Sequence, residues 1–259
     1  MDRLLRIKIS WFVNFLKILH DVFELFGQSI FYLFVRPYYI RDIIIQMHSI
    51  GVRSLPIVLL ISAFTGMVLA LQSGYEMAVY GAKMYVGSLI SISLVRELGP
   101  VLIAMVVAGR VGSGIAAELG SMSVTEQIDA MRALGTNPIK KLASTRLIAI
   151  TIMLPVLTVI GDIVGIFGGS IIAVSSLNIP SEFYWNTVVT SVTFEDITAG
   201  LIKPFVFAVI IAVIGCYMGF MAKGGTQGVG EATTRSVVVS SILIFISDFF
   251  ITKFLISIA

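Results

Sequence analysis

Arg96 and Glu97 are adjacent charges inside Val86–Ala108, a stretch otherwise apolar and long enough to cross a bilayer. A charge near mid-membrane costs about 3 kcal/mol even on lenient insertion scales, so it faces a partner or a wet cavity and marks function. Neighbours in sequence splay about 100° apart on a helix, so the two cannot simply neutralise each other. Pro100 lacks the N–H that would bond the carbonyl of residue 96, which loosens the backbone beside the charges. The pattern predicts a kink facing a ligand or a second subunit. The alternative is a helix that starts later, with Arg96 reaching the headgroups.

Other ionisable groups lie in apolar surroundings. Asp162 is flanked by Gly161 and Gly165, and Asp248 falls midway along the last apolar run. Either suits a proton relay or a buried acid bonded to Ser or Thr on a neighbouring helix. The structural role is favoured, because neither has a His or a second acid close in sequence. Lys203 and Lys253 lie near the ends of their runs and are expected to snorkel. His20 and His48 form no metal-ligand pattern, and Cys216 has no partner for an intrachain disulfide. No nucleophile–base arrangement, metal site, cofactor motif or nucleic-acid motif is present, so the chain does not read as an enzyme.

These residues must be positioned by membrane helices. Of the 259 residues 57% are hydrophobic and 13% charged, about half the charge of a soluble domain. Runs of spanning length occur at Leu55–Ser73, Val86–Ala108, Leu147–Leu177, Thr198–Ala222 and Val237–Ile258, predicting an all-α polytopic protein with five transmembrane helices. Seven Lys and Arg lie in residues 1–54, five in 110–146 and two in 223–235, whereas 74–85 and 178–197 hold only Lys83. The positive-inside rule then places the N-terminus in the cytoplasm and the C-terminus outside.

Before the spans, Asn14, Lys17, Asp21, Glu24 and Gln28 recur every three to four positions, opposite Trp11, Phe15, Leu19, Phe23, Phe26 and Ile30. Residues 1–36 are therefore an amphipathic helix lying in the interface, closed near Arg36–Pro37. Small residues at intervals of four (Gly66, Ala70, Gly74; Gly161, Gly165, Gly169; Gly215, Gly219) predict packing seams.

A connection from Gly109 to Pro138 is expected in the cytoplasm. In it Ser123 and Glu126 suit a capping box, Val124, Ile128 and Met131 line one face, and Gly135 and Pro138 end a three-turn helix over Val124–Leu134. An exposed connector has no need of an apolar stripe, so this helix wants a protein groove.

Four linked motifs now stand in order: Val95–Pro100 (VRELGP), Ala108–Gly114 (AGRVGSG), Ala117–Gly120 (AELG) and Glu126–Gly135 (EQIDAMRALG) with Asn137–Pro138. Together they resemble the MlaE (YrbE) permeases, membrane subunits of ABC systems that move phospholipid between bacterial membranes, over roughly residues 45–258. The resemblance implies an MlaE-type permease domain over 37–259 in the inner membrane, helping to maintain outer-membrane lipid asymmetry. It implies a homodimer whose lipid cavity is lined by Leu69, Tyr80, Arg96, Glu97 and Leu98. It also implies that Val124, Glu126, Ile128, Asp129, Met131 and Leu134 couple to a cytoplasmic ATPase. No Gly-x-x-x-x-Gly-Lys-Ser/Thr occurs in the chain, so ATP hydrolysis is expected in that partner. A periplasmic MCE-type lipid-binding protein and a small regulatory subunit are further implied partners. The competing reading is a stand-alone secondary transporter that uses the intramembrane charges, though no internal repeat supports it.

Overall fold

Lipid is as apolar as a leucine side chain, so helices in a bilayer approach closely only where small residues let them. The computed structural model describes residues 2–258, and every element among them is helical. The side chains of Trp11, Asn14 and Phe15 lie outside the described residues. Five helical rods are long and apolar enough to cross a membrane: Ile40–Val79, Lys83–Val124, Ile139–Ser175, Phe194–Phe220 and Gly225–Ser257.

The first rod comprises α2 (Ile40–Ile50) and α3 (Leu55–Val79), joined by a 3₁₀ turn. It follows α1 (Asp2–Phe31), which ends several residues before Arg36–Pro37. Leu25 and Ser29 of α1 are buried while Phe23 and Phe31 are exposed, so this helix has one face against the protein and an apolar face open. The second rod is built from α4 (Val86–Ser93), α5 (Gly99–Val107) and α6 (Ser113–Val124), linked by π-turns at Leu94–Leu98 and Ala108–Gly112. Helix therefore continues through most of the stretch expected to be a cytoplasmic connection, because the segment from AGRVGSG to AELG still buries Val111, Ile115 and Leu119. Beyond it lies the short α7 (Gln127–Ala133). A π-turn at Ile139–Ala143 leads into α8 (Ser144–Ser175), followed by α9 (Ser181–Ser191), α10 (Phe194–Phe220) and α11 (Gly225–Ile258).

The expected seams form. α3 lies along α8 so closely that a Cβ on Gly66 would sit 1.8 Å from the carbonyl oxygen of Gly165, and one on Gly168 2.4 Å from that of Ala63. Gly215 and Gly219 of α10 play the same part against α6, facing Gly112 and Leu119.

Long-range contacts sort the connections to two ends. At one end Arg110 donates to the Ser54 hydroxyl at 2.6 Å, Arg146 pairs with Glu118 at 2.8 Å, and Ser123 donates to the Phe220 carbonyl at 3.3 Å. At the other, Lys83 reaches the Leu177 carbonyl at 3.5 Å, and α9 packs on α4 through Tyr184 and Thr187. Burial pushes the Tyr184 phenol above its usual range, and its hydroxyl donates to the Ile166 carbonyl at 3.0 Å. The three cation-rich segments thus share one end.

Candidate functional site

Arg96 and Glu97 sit on the π-turn Leu94–Leu98, where the Gly99 N–H bonds back five residues to the Leu94 carbonyl and Pro100 supplies no N–H. The expected loosening of the backbone is present, as a widened turn. π-turns inside α-helices recur at functional sites because they turn side chains out of the regular helical register.

Both charges find partners within the same chain. Arg96 Nη1 lies 3.2 Å from Asp196 Oδ1. Asp196 is itself fixed by a capping box at the start of α10: its Oδ2 accepts from the Thr193 N–H at 2.9 Å, while its own N–H donates to Thr193 Oγ1 at 3.3 Å. One carboxylate therefore caps a helix and holds a guanidinium. Glu97 accepts from the Lys203 ammonium on α10 and from the Thr252 hydroxyl on α11 at 3.2 Å. Lys203 also lies 3.0 Å from Asp248 Oδ1. Two cations, Arg96 and Lys203, thus face three carboxylates, Glu97, Asp196 and Asp248, across three of the five rods.

Three expectations are corrected here. Lys203 does not snorkel: its side chain is 1% exposed, since two acids inside the bundle hold it where an ammonium alone would be expelled. Asp248 is held by Lys203 rather than by Ser or Thr. Arg96 and Glu97, expected to face a ligand or a second subunit, find partners within one chain, because α10 and α11 deliver Asp196, Lys203 and Thr252 from about one hundred or more positions away. Asp162 is buried against Gly99 with Oδ1 unbonded, so the expected Ser or Thr partner is not at that oxygen; a Cβ at Gly99 would lie 1.7 Å from it. Lys253 is exposed, as a snorkelling side chain would be.

Leu98, on the same π-turn, meets α3 in an open apolar groove of about 600 Å³ walled by Leu60, Ile61, Phe64, Thr65, Val68 and Leu69. The structure thus brings Leu69 and Leu98 together, whereas the Arg96 and Glu97 side chains, from the same π-turn, turn to α10 and α11 and do not line the groove. Tyr80 is 85% exposed at the C-terminal end of α3 and does not line this groove. Lys203, Asp196, Asp248 and Thr252 belong to the site but could not be assigned from local pattern. Only the improbability of Lys203 and Asp248 in apolar runs pointed to them.

Among the residues expected to couple to an ATPase, Ser123 and Glu126 do not form a capping box. Ser123 is inside α6, and Glu126 takes a left-handed backbone (φ 59°) to start α7. The helix spans Gln127–Ala133, shorter than expected, because that left-handed residue separates it from α6. Its end is as expected: Gly135 has φ 75°, with Gly135 N–H to Arg132 O at 3.0 Å and Thr136 N–H to Met131 O at 2.9 Å, a Schellman closure. Ile128 is buried and Met131 packs on the chain's own core, so these two turn inward, while Val124 is half-buried. Outward stand Glu126, Asp129, its ion-pair partner Arg132, and Leu134, which is 83% exposed.

The family profile described as Permease MlaE matches residues 43–254. A probable ABC transporter permease protein of Rickettsia typhi is 45% identical over 219 residues, 85% of each chain. The intermembrane phospholipid transport system permease protein MlaE of Haemophilus influenzae is 36% identical over 253 residues, 93% of this chain and 97% of that one. The chloroplastic protein TRIGALACTOSYLDIACYLGLYCEROL 1 of Arabidopsis thaliana is 37% identical over 228 residues, 88% of this chain and 65% of that one.

Proposed function

The chain belongs to the MlaE permease family, and on that premise we propose that it is the membrane subunit of an ABC transporter moving phospholipid between bacterial membranes. The observation that carries this reading is the apolar groove of Leu69 and Leu98, formed against α3 by the same π-turn that carries Arg96 and Glu97. A phospholipid needs both parts: apolar wall for its acyl chains and fixed charge for its headgroup. The Arg96 and Glu97 side chains are 37% and 40% exposed, so both retain bonding capacity despite their partners. Arg96 suits a phosphate and Glu97 an ammonium, as in a zwitterionic headgroup. Asp196 and Lys203 hold that pair in place from behind.

The groove is open on one side, and a second copy of the chain across a two-fold axis closes it. A cytoplasmic ATPase docks on the exposed rim of α7, around Leu134, Glu126 and Asp129, and supplies the energy. The chain sits in the inner membrane with residues 1–36 as an interfacial helix, its N-terminus cytoplasmic and its C-terminus periplasmic. An MCE-type periplasmic protein and a small regulatory subunit complete the system, which serves outer-membrane lipid asymmetry. Gathering of the Lys- and Arg-rich connections at one end of the bundle supports this orientation.

Photo-crosslinking from positions 69 and 97 in native membranes tests the lipid assignment. Phospholipid should be captured from both positions in the assembled transporter. Capture from neither removes the cavity.

A further inference from the structure

The cation-rich end of the bundle holds a polar cleft that the lipid groove does not use. It measures about 360 Å³ and lies between α2 and the second π-turn with α6, lined by Gln46, Ser49, Ile50, Arg110, Gly114 and Glu118. Arg110 stands on the π-turn Ala108–Gly112, its side chain exposed and one nitrogen bonded to the Ser54 hydroxyl at 2.6 Å. Among the described residues its guanidinium has no carboxylate partner. The acid in the cleft, Glu118, is already neutralised by Arg146, which is 2% exposed, 2.8 Å away and held by the Leu142 carbonyl at 2.9 Å. The cleft therefore offers one uncompensated cation together with the Gln46 amide and the Ser49 hydroxyl as donors. Such a set recognises a phosphate oxygen. Gly114 leaves the floor open, since a Cβ there would meet nothing within 4 Å.

We infer that this cleft binds the phosphate of a phospholipid in the cytoplasmic leaflet, forming a second headgroup station below the central groove. The inference rests on the phospholipid reading above and adds a site to it. Length supports a lipid over a small anion. Arg110 lies twelve residues beyond Leu98 on the same rod, about 18 Å at helical rise. One leaflet's hydrocarbon is about 15 Å deep, half the bilayer core. A lipid anchored at Arg110 therefore lays its chains along the exposed face of α3, past Ile57 and Leu60, and ends at the Leu69–Leu98 groove. The first two rods frame both stations.

The test places a benzophenone amino acid at Gln46, with a second at Leu69 as reference, in the assembled transporter in membranes containing radiolabelled phospholipid. Position 46 should capture lipid. Arg110→Ala should lower that capture about tenfold, the loss expected for one charge-assisted hydrogen bond. Arg110→Lys should restore part of it. Gly114→Leu, which fills the cleft without altering charge, should lower it equally and carries the test if Arg110→Ala fails to accumulate. Capture at 69 but not at 46, or capture at 46 unchanged by either variant, overturns the cytoplasmic station alone. Capture at neither position overturns the lipid reading and this station with it. Binding of radiolabelled inorganic phosphate that Arg110→Ala abolishes, with no lipid captured at 46, reassigns the cleft to a free anion and overturns the lipid assignment.

Discussion

Lys203 ties Glu97 on the second rod to Asp248 on the fifth, with its own stem on the fourth. Removing the buried Lys203 leaves Asp248, 19% exposed, short of its cation at a cost of about 3 kcal/mol, whereas water partly takes up Glu97, 40% exposed, and adds little. Lys203→Met strands two acids, and we expect a large fall in the thermal stability of the detergent-purified protein. Adding Glu97→Gln and Asp248→Asn should recover most of that loss, because no uncompensated charge then remains. If the single variant melts like the wild type, the cluster is not a structural unit. Sequence reading found Arg96 and Glu97 because charge in an apolar run is improbable by itself. It missed their partners because the pairing spans roughly one hundred to one hundred and fifty residues, and local pattern carries no information about which distant rods will touch.

At the level of elements, the interval-of-four glycines were legible because close helix approach depends directly on side-chain size. Gly66→Val must push backbone against backbone at Gly165, and overpacking of this kind costs about 1–3 kcal/mol. Gly230 of α11 has open space around it, so Gly230→Ala should be neutral or stabilising by up to about 1 kcal/mol through helix propensity. Thermal melts of the two variants should move in opposite directions or at least differ clearly, and equal shifts would contradict the seam. The short helix α7 teaches the opposite lesson. Its apolar positions and its Gly135 stop were readable, but periodicity could not say whether Ile128 and Met131 face a partner or the chain's own core. Burial shows the core. Leu134→Asp should therefore abolish co-purification of the ATPase while the permease stays monodisperse, whereas Met131→Asp should damage the permease itself. Full ATPase recovery with Leu134→Asp would remove the docking assignment.

For the whole molecule, the number of rods followed from apolar length alone, but not all their limits: the first rod begins at Ile40 rather than Leu55 and the fifth at Gly225 rather than Val237, because helix continues past the apolar run. The second rod ran further than expected because a segment rich in Gly and Ser remains helical when its other residues are buried against α10 and α11. Orientation rests on where Lys and Arg fall, and the structure places those segments together at one end. A reporter inserted near Asn137 should read as cytoplasmic and one fused after Ala259 as extracytoplasmic. The same compartment for both would mean that one of the last three rods does not span.

The central claim is that the chain is the permease half of an ATP-driven lipid transporter, with no ATPase motif of its own. Affinity purification of the chain from its native membrane under mild detergent, with quantitative mass spectrometry of what accompanies it, addresses that claim most directly. The account predicts a protein carrying a Gly-x-x-x-x-Gly-Lys-Ser/Thr motif in near-equal amount to the permease, together with bound phospholipid. A chain that purifies without any such ATPase would contradict it.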